Sequence, residues 1–257
     1  MDKLKVIDRA KIYLRGQALS DVDFMLLYND LAEWEQFGYA AEALYKNMEE
    51  KEHDGKPVTI KNYQDLAKNI YKDDSLSSYF KFDTAFNILS TNCKLEETNN
   101  YETLGLAGAI YKYRWKFDHQ ATNLLKSEAY YKRGYKIWKG KVKPHSRNKT
   151  DNGYTAINYA YISELIAAVA LEKLSEVTGI TEDTIDKFVR AQEARMKIIE
   201  TYISNRKARH PEIIHGMKPN HWLYATLAEA YFGLREIRTG GIPGQEIHEN
   251  ESAELGD

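Results

Sequence analysis

The residues of this chain whose types suit chemistry do not assemble into a catalytic pattern. His210, His215 and His221 lie close together, but gaps of five and six residues across Pro211 and Gly216 fit no standard zinc spacing, and they read as a surface loop rather than a metal site. Cys93 is the only cysteine, so it has no intramolecular disulfide partner. With no activating neighbour in sequence, it is expected to be a buried, inert thiol. A Gly-x-x-x-x-Gly-Lys-Ser/Thr phosphate loop, a His-Glu-x-x-His pair and a Gly-x-Ser-x-Gly elbow are all absent. No catalytic residue, metal or cofactor is therefore assigned. The basic run from Lys139 to Lys149 has the composition to hold phosphate or RNA, yet a solvated loop is the expected reading, and nucleic acid is not expected as a partner.

The elements that position these residues are helices. The chain has 257 residues, 43% hydrophobic, enough for a sizeable core, with only 5 prolines and no series of short alternating strands. Its organising stretch, Tyr101 to Trp115, has helical spacing but carries Gly105 and Gly108, each costing about 1 kcal/mol in a helix interior. That cost is offset if the bare side admits a second helix or a ligand. Asn99 and Glu102 read as a capping box for this helix. Further helices are expected from Asp8 to Arg15, after Ser20 with Phe24, Leu27, Leu31 and Trp34 on one face, from Tyr39 to Glu52, after Thr59, from Ser77 to Leu89, from Ala121 to Trp138, from Tyr154 to Val177, from Ile185 to Asn205 and from His221 to Ile237. One helical domain over 1–237 and a disordered acidic tail over 238–257 are expected. The net charge of -2 gives no drive toward acidic membranes. The first residues lack the apolar core of a secretion signal, and no apolar run reaches the ~20 residues of a membrane span, so a cytosolic location is expected.

One pattern recurs: an aromatic or Leu, an aliphatic three residues later followed by a small or polar residue, then an aromatic or aliphatic. It reads Tyr63, Leu66, Ala67, Ile70; Leu104, Ala107, Gly108, Tyr111; Tyr154, Ile157, Asn158, Tyr161; and Tyr224, Leu227, Ala228, Tyr231. This is the first-helix signature of a tetratricopeptide repeat. The fold class is all-α, a degenerate tetratricopeptide-type solenoid of antiparallel helix pairs, with loops enlarged and second helices lengthened beyond the ~34-residue repeat. Offsets of minus six, minus three, plus one and plus four from each small residue define a groove. They select Lys61, Gln64, Lys68 and Tyr71; Glu102, Gly105, Ala109 and Lys112; Asn152, Thr155, Tyr159 and Ile162; and Trp222, Ala225, Glu229 and Phe232. The early part is lysine-lined with a glycine floor and the later part aromatic, which suits an anionic, partly flat ligand. Lys72, Glu102, Lys112, Arg114, Asn158, Trp222 and Glu229 are the candidate binding residues. Asn158 stands where the repeat wants Gly or Ala, so its amide needs a partner: Glu102, Glu229 or a ligand. Arg114 is alternatively a brace for an acidic side chain.

The chain also resembles the tetratricopeptide-like TRAFs-binding domain, the helical regulatory region of apoptosis signal-regulating kinases and of many bacterial signalling and conflict-system proteins. The matching residues are Leu66-Ala67, Tyr71-Lys72-Asp73, Glu102 to Gly105, Tyr111-Lys112 with Arg114-Trp115, Tyr130-Tyr131 with Gly134-Tyr135, Tyr154 with Ile157-Asn158, and Trp222 with Thr226 to Ala230. The resemblance covers roughly 20–237, and no kinase signature accompanies it. It implies a non-catalytic regulatory module that senses a nucleotide-like ligand and controls a separate effector protein in defence or stress signalling. Two other readings stay open: a peptide-binding adaptor that uses the same groove, and an enzyme of unrecognised type.

Overall fold

A computed structural model describes residues 2–141, 153–174, 182–202 and 221–238. Every element among them is a helix: α1 (Lys3–Leu14), α2 (Asp21–Glu33), α3 (Phe37–His53), α4 (Ile60–Lys72), α5 (Ser78–Asn92), α6 (Tyr101–Asp118), α7 (Ala121–Lys141), α8 (Tyr154–Leu174), α9 (Glu182–Tyr202) and α10 (His221–Arg238). The described residues are all-α, and the fold class is tetratricopeptide-like.

Helix starts follow local chemistry. Ser20 accepts from the Asp23 amide, and Thr59 with Asn62 forms a reciprocal capping box, so free amides of α2 and α4 find acceptors. The cap of α6 is one residue later than the sequence pattern suggested. Asn100 Oδ1, not Asn99, accepts from the Glu102 and Thr103 amides at 2.9 and 3.1 Å. Trp34 also departs from expectation. The last helical residue of α2 is Glu33, and Glu35 turns the chain with φ 52°, which leaves Trp34 42% exposed while Phe24, Leu27 and Leu31 are buried.

Two compact units divide the chain, Met1–Gly140 and Lys141–Asp257. In the first, α1 and α2 pack on each other and on α3, then α3 on α4, α4 on α5 and α5 on α6, while α4 also meets α6. Arg114 of α6 pairs with Asp83 of α5, and Phe86 meets Tyr111 edge-on at 5.2 Å, which sets α5 and α6 antiparallel. Gly108 marks a close helix approach in this unit. A Cβ there would meet the Tyr131 ring of α7 at 2.9 Å, and the Ser127 hydroxyl donates to the Gly108 carbonyl at 2.8 Å. Cys93 is buried, as its sequence context indicated, and burial holds its thiol above its ordinary pKa.

In the second unit, α8 packs on α9, and α10 packs on both. Small buried residues line α8 at Ala156, Ala160, Ser163 and Ala167, and line α9 at Ala191 and Ala194. This corrects the expected register. Asn158 is half-buried off that stripe, with Tyr154 and Tyr161 exposed beside it, and on α10 Ala228 is exposed while Ala230 is buried. Arg195 of α9 is buried, grips Glu164 of α8 through two nitrogens and lies against Gly233 of α10. The basic segment beyond Lys141, His210, His215 and the tail from Thr239 lie outside the described residues.

Candidate functional site

The repeat offset of 41 residues between Ala67 and Gly108 is realised in space. Lys61 and Glu102 both stand six residues before their small residue, and they pair at 2.8 Å across α4 and α6. Next, the buried Gln64 amide donates to the Thr103 hydroxyl at 2.7 Å and to Asn100 Oδ1 at 3.3 Å. Further along, the Tyr71 and Tyr113 rings meet at 5.6 Å. The two first helices thus run parallel, locked at three levels. Gly105 and Ala109 are buried, so they form no open floor.

Electrostatics separate the lysines of this face. Burial works against the Lys61 charge, but Asp65 at 2.7 Å and Glu102 outweigh it and hold the ammonium above its ordinary pKa. Lys72 is in the opposite situation. It is half-buried, its ammonium lies 5.0 Å from the Phe37 ring centroid, and no carboxylate within ion-pair distance is found for it among the described residues. Burial first, and then the like charge of Lys68 one turn away, hold its pKa below the ordinary lysine value, with Glu35 opposing weakly. Beside it, Asp73 occupies the start of α3. A Cβ on Gly38 would come within 2.9 Å of its carboxylate, and Gln36 supplies no side-chain cap to that helix.

The remaining candidate residues are placed as follows. Glu102 is exposed and engaged with Lys61. Lys112 is half-buried, 5.9 Å from the Tyr131 ring centroid. Arg114 braces Asp83, as one reading of the sequence held, with its guanidinium carbon 5.6 Å from the Tyr111 ring centroid. The Asn158 amide donates to the Tyr154 carbonyl of its own helix at 2.9 Å. Glu229 is exposed on α10; Trp222 is on the same helix, and its side chain lies outside the described residues. Lys72, Glu102, Lys112 and Arg114 thus belong to the first unit, and Asn158, Trp222 and Glu229 to the second.

Sequence reasoning selected Lys68 as a groove residue but missed the Phe37, Gly38 and Asp73 surroundings of Lys72. A glycine in the first turn of a helix that lacks a capping residue was the available signal. Among the described residues, no cluster of His, Cys, Asp or Glu has the makings of a metal site, and no helix is long and apolar enough to cross a membrane. No curated protein and no solved structure matches the chain. The model of the family described as Tetratricopeptide Repeats-Sensor does match, over residues 37–163, from the start of α3 into α8.

Proposed function

We propose that this chain is a non-catalytic sensor module, which takes up a small anionic, nucleotide-like signal and passes the change to a separate effector protein of a defence or stress-signalling system. The observation that carries the reading is Lys72, a half-buried ammonium beside a second ammonium, Lys68, inside the region that resembles sensor tetratricopeptide repeats. An anion set between them relieves both the burial penalty and the repulsion, so the charged form that is strained in the free protein is stabilised in the complex. Phe37 offers a ring face for the flat part of such a ligand. Lys112 extends the cationic face on α6. In the resting state Glu102 and Arg114 act as braces. Asn158, Trp222 and Glu229 remain proposed binding residues of the second unit in their own right.

A thermal-shift panel of mononucleotides and cyclic nucleotides tests this. A ligand at a hundredfold excess over Kd raises stability by about 2.7 kcal/mol. Lys68→Ala with Lys72→Ala is expected to remove that shift and leave helicity unchanged. A panel in which no nucleotide stabilises the protein overturns the sensing reading, and a shift that survives the double substitution overturns the site.

A further inference from the structure

Helix α2 is apolar on both sides. Phe24, Leu27 and Leu31 are buried, while Val22, Met25 and Leu26 on the opposite face are 71%, 50% and 54% exposed. A surface helix ordinarily carries one apolar stripe, and α2 carries a second one among its acids. Helix α1 adds Leu4 and Ile12, which are 74% and 48% exposed. Because α1 and α2 both pack on α3, their faces turned away from α3 lie on one side of the unit.

The charges around this strip are divided between the two helices. Lys3, Lys5, Arg9 and Lys11 lie on α1, with Arg15 as its C-cap and Asp8 as its only acid. Asp21, Asp23, Asp30 and Glu33 lie on α2, which has no basic residue. Arg9 meets Asp30 at 3.8 Å and the Tyr13 and Phe24 rings meet at 5.8 Å, so the helices run side by side and antiparallel.

We propose that this face is the interface of a two-fold homodimer in which α1 of each copy lies on α2 of the other. A two-fold axis parallel to the helices and midway between them carries α1 beneath α2 and keeps every residue at its level along the axis. Ile12 then falls level with Met25 and Leu26 of the second copy, Lys5 with Glu33, and Arg15 with Asp23. Apolar side chains meet apolar ones, and the basic helix meets the acidic one, twice by symmetry. The opposite arrangement, α2 on α2, sets four acids against four and is disfavoured.

Sedimentation equilibrium of the full chain tests the proposal, with each variant checked by circular dichroism. The expected mass is twice the 29.7 kDa of one chain. Leu26→Glu adds an acid to the acidic helix and is expected to weaken the dimer by at least about tenfold. Lys5→Glu and Glu33→Lys are expected each to weaken it, and the two together to restore it. These two substitutions favour their own helix termini, so folding is not at risk. A chain that is monomeric up to about 100 µM, which corresponds to less than about 5.5 kcal/mol of association, overturns the proposal. So does a Leu26→Glu dimer of unchanged affinity, or a Lys5→Glu, Glu33→Lys pair that fails to restore association.

Discussion

The α6–α7 hairpin and the α8–α9 pair solve the same problem, close approach of two helices, in different ways. In the first, one glycine makes a hole and one tyrosine fills it, with Ser127 donating to the buried Gly108 carbonyl. In the second, small residues recur along both helices, and a buried Arg195, paired with the partly buried Glu164, stands where an apolar knob would otherwise be. A knob in a hole fixes one register. A smooth alanine face permits several, and the ion pair selects among them by charge. The repeat pattern therefore located the first contact to the residue and mislocated the second.

Breaking the second contact has the larger expected effect. Glu164→Ala leaves the buried Arg195 charge without its carboxylate and Gln192 without its acceptor, and a loss of about 3 to 5 kcal/mol is expected in urea unfolding. A loss under about 1 kcal/mol would show that the alanine faces alone hold the register. Breaking the first, Gly108→Leu drives a side chain into the Tyr131 ring and is expected to destabilise by about 1 to 3 kcal/mol. An added Tyr131→Ala should return part of that loss if the ring is the obstacle. Thr59→Ala removes the α4 cap and is expected to lower stability by about 1 kcal/mol, visible as faster amide exchange in the first turn of α4.

The smallest expected effect is a pH dependence confined to the first unit. Burial alone would raise the Glu50 pKa, but hydrogen bonds from Lys46 and Tyr13 outweigh it and hold the carboxyl below the usual carboxylate range. Its folded-state pKa is thus below its unfolded one. The contribution is present above the unfolded value and is lost as pH falls through the folded value. Glu50→Gln should flatten the acid limb of the melting curve, and an unchanged acid slope would remove this carboxylate from the account.

The pattern of small residues and caps made much of the first unit legible. Ser20, Thr59, Gly16 and Gly55 mark helix ends locally, and the 41-residue offset puts Lys61 and Glu102 at equivalent positions of successive repeats, although their ion pair is visible only in the structure. Short-range chemistry does not reveal partnership between distant residues. The burial of Gln64 against Thr103 and the placing of Asp73 at the start of α3 depend on residues 35 to 39 apart in sequence meeting at one level. Lys72 is a candidate from the sequence, but the strain on its charge comes from burial and from Lys68, and its contact with the Phe37 ring comes from a distant helix, which no residue type announces.

The lock between α4 and α6 bears on how such repeats evolve. The helix α5 has only 15 residues, so the length beyond a regular repeat is in the connections, above all Cys93–Asn100 between α5 and α6. Lengthening a connection is entropically mild, about 0.6 kcal/mol per doubling, whereas sliding α6 by one residue would break every contact along the shared face. Arg133 holds the carbonyls of Leu95, Glu96 and Thr98, and Leu95 is buried, so the inserted segment has been absorbed into the architecture. Homologues are expected to vary in length here while the spacing of Lys61, Gln64 and Tyr71 on α4 stays fixed.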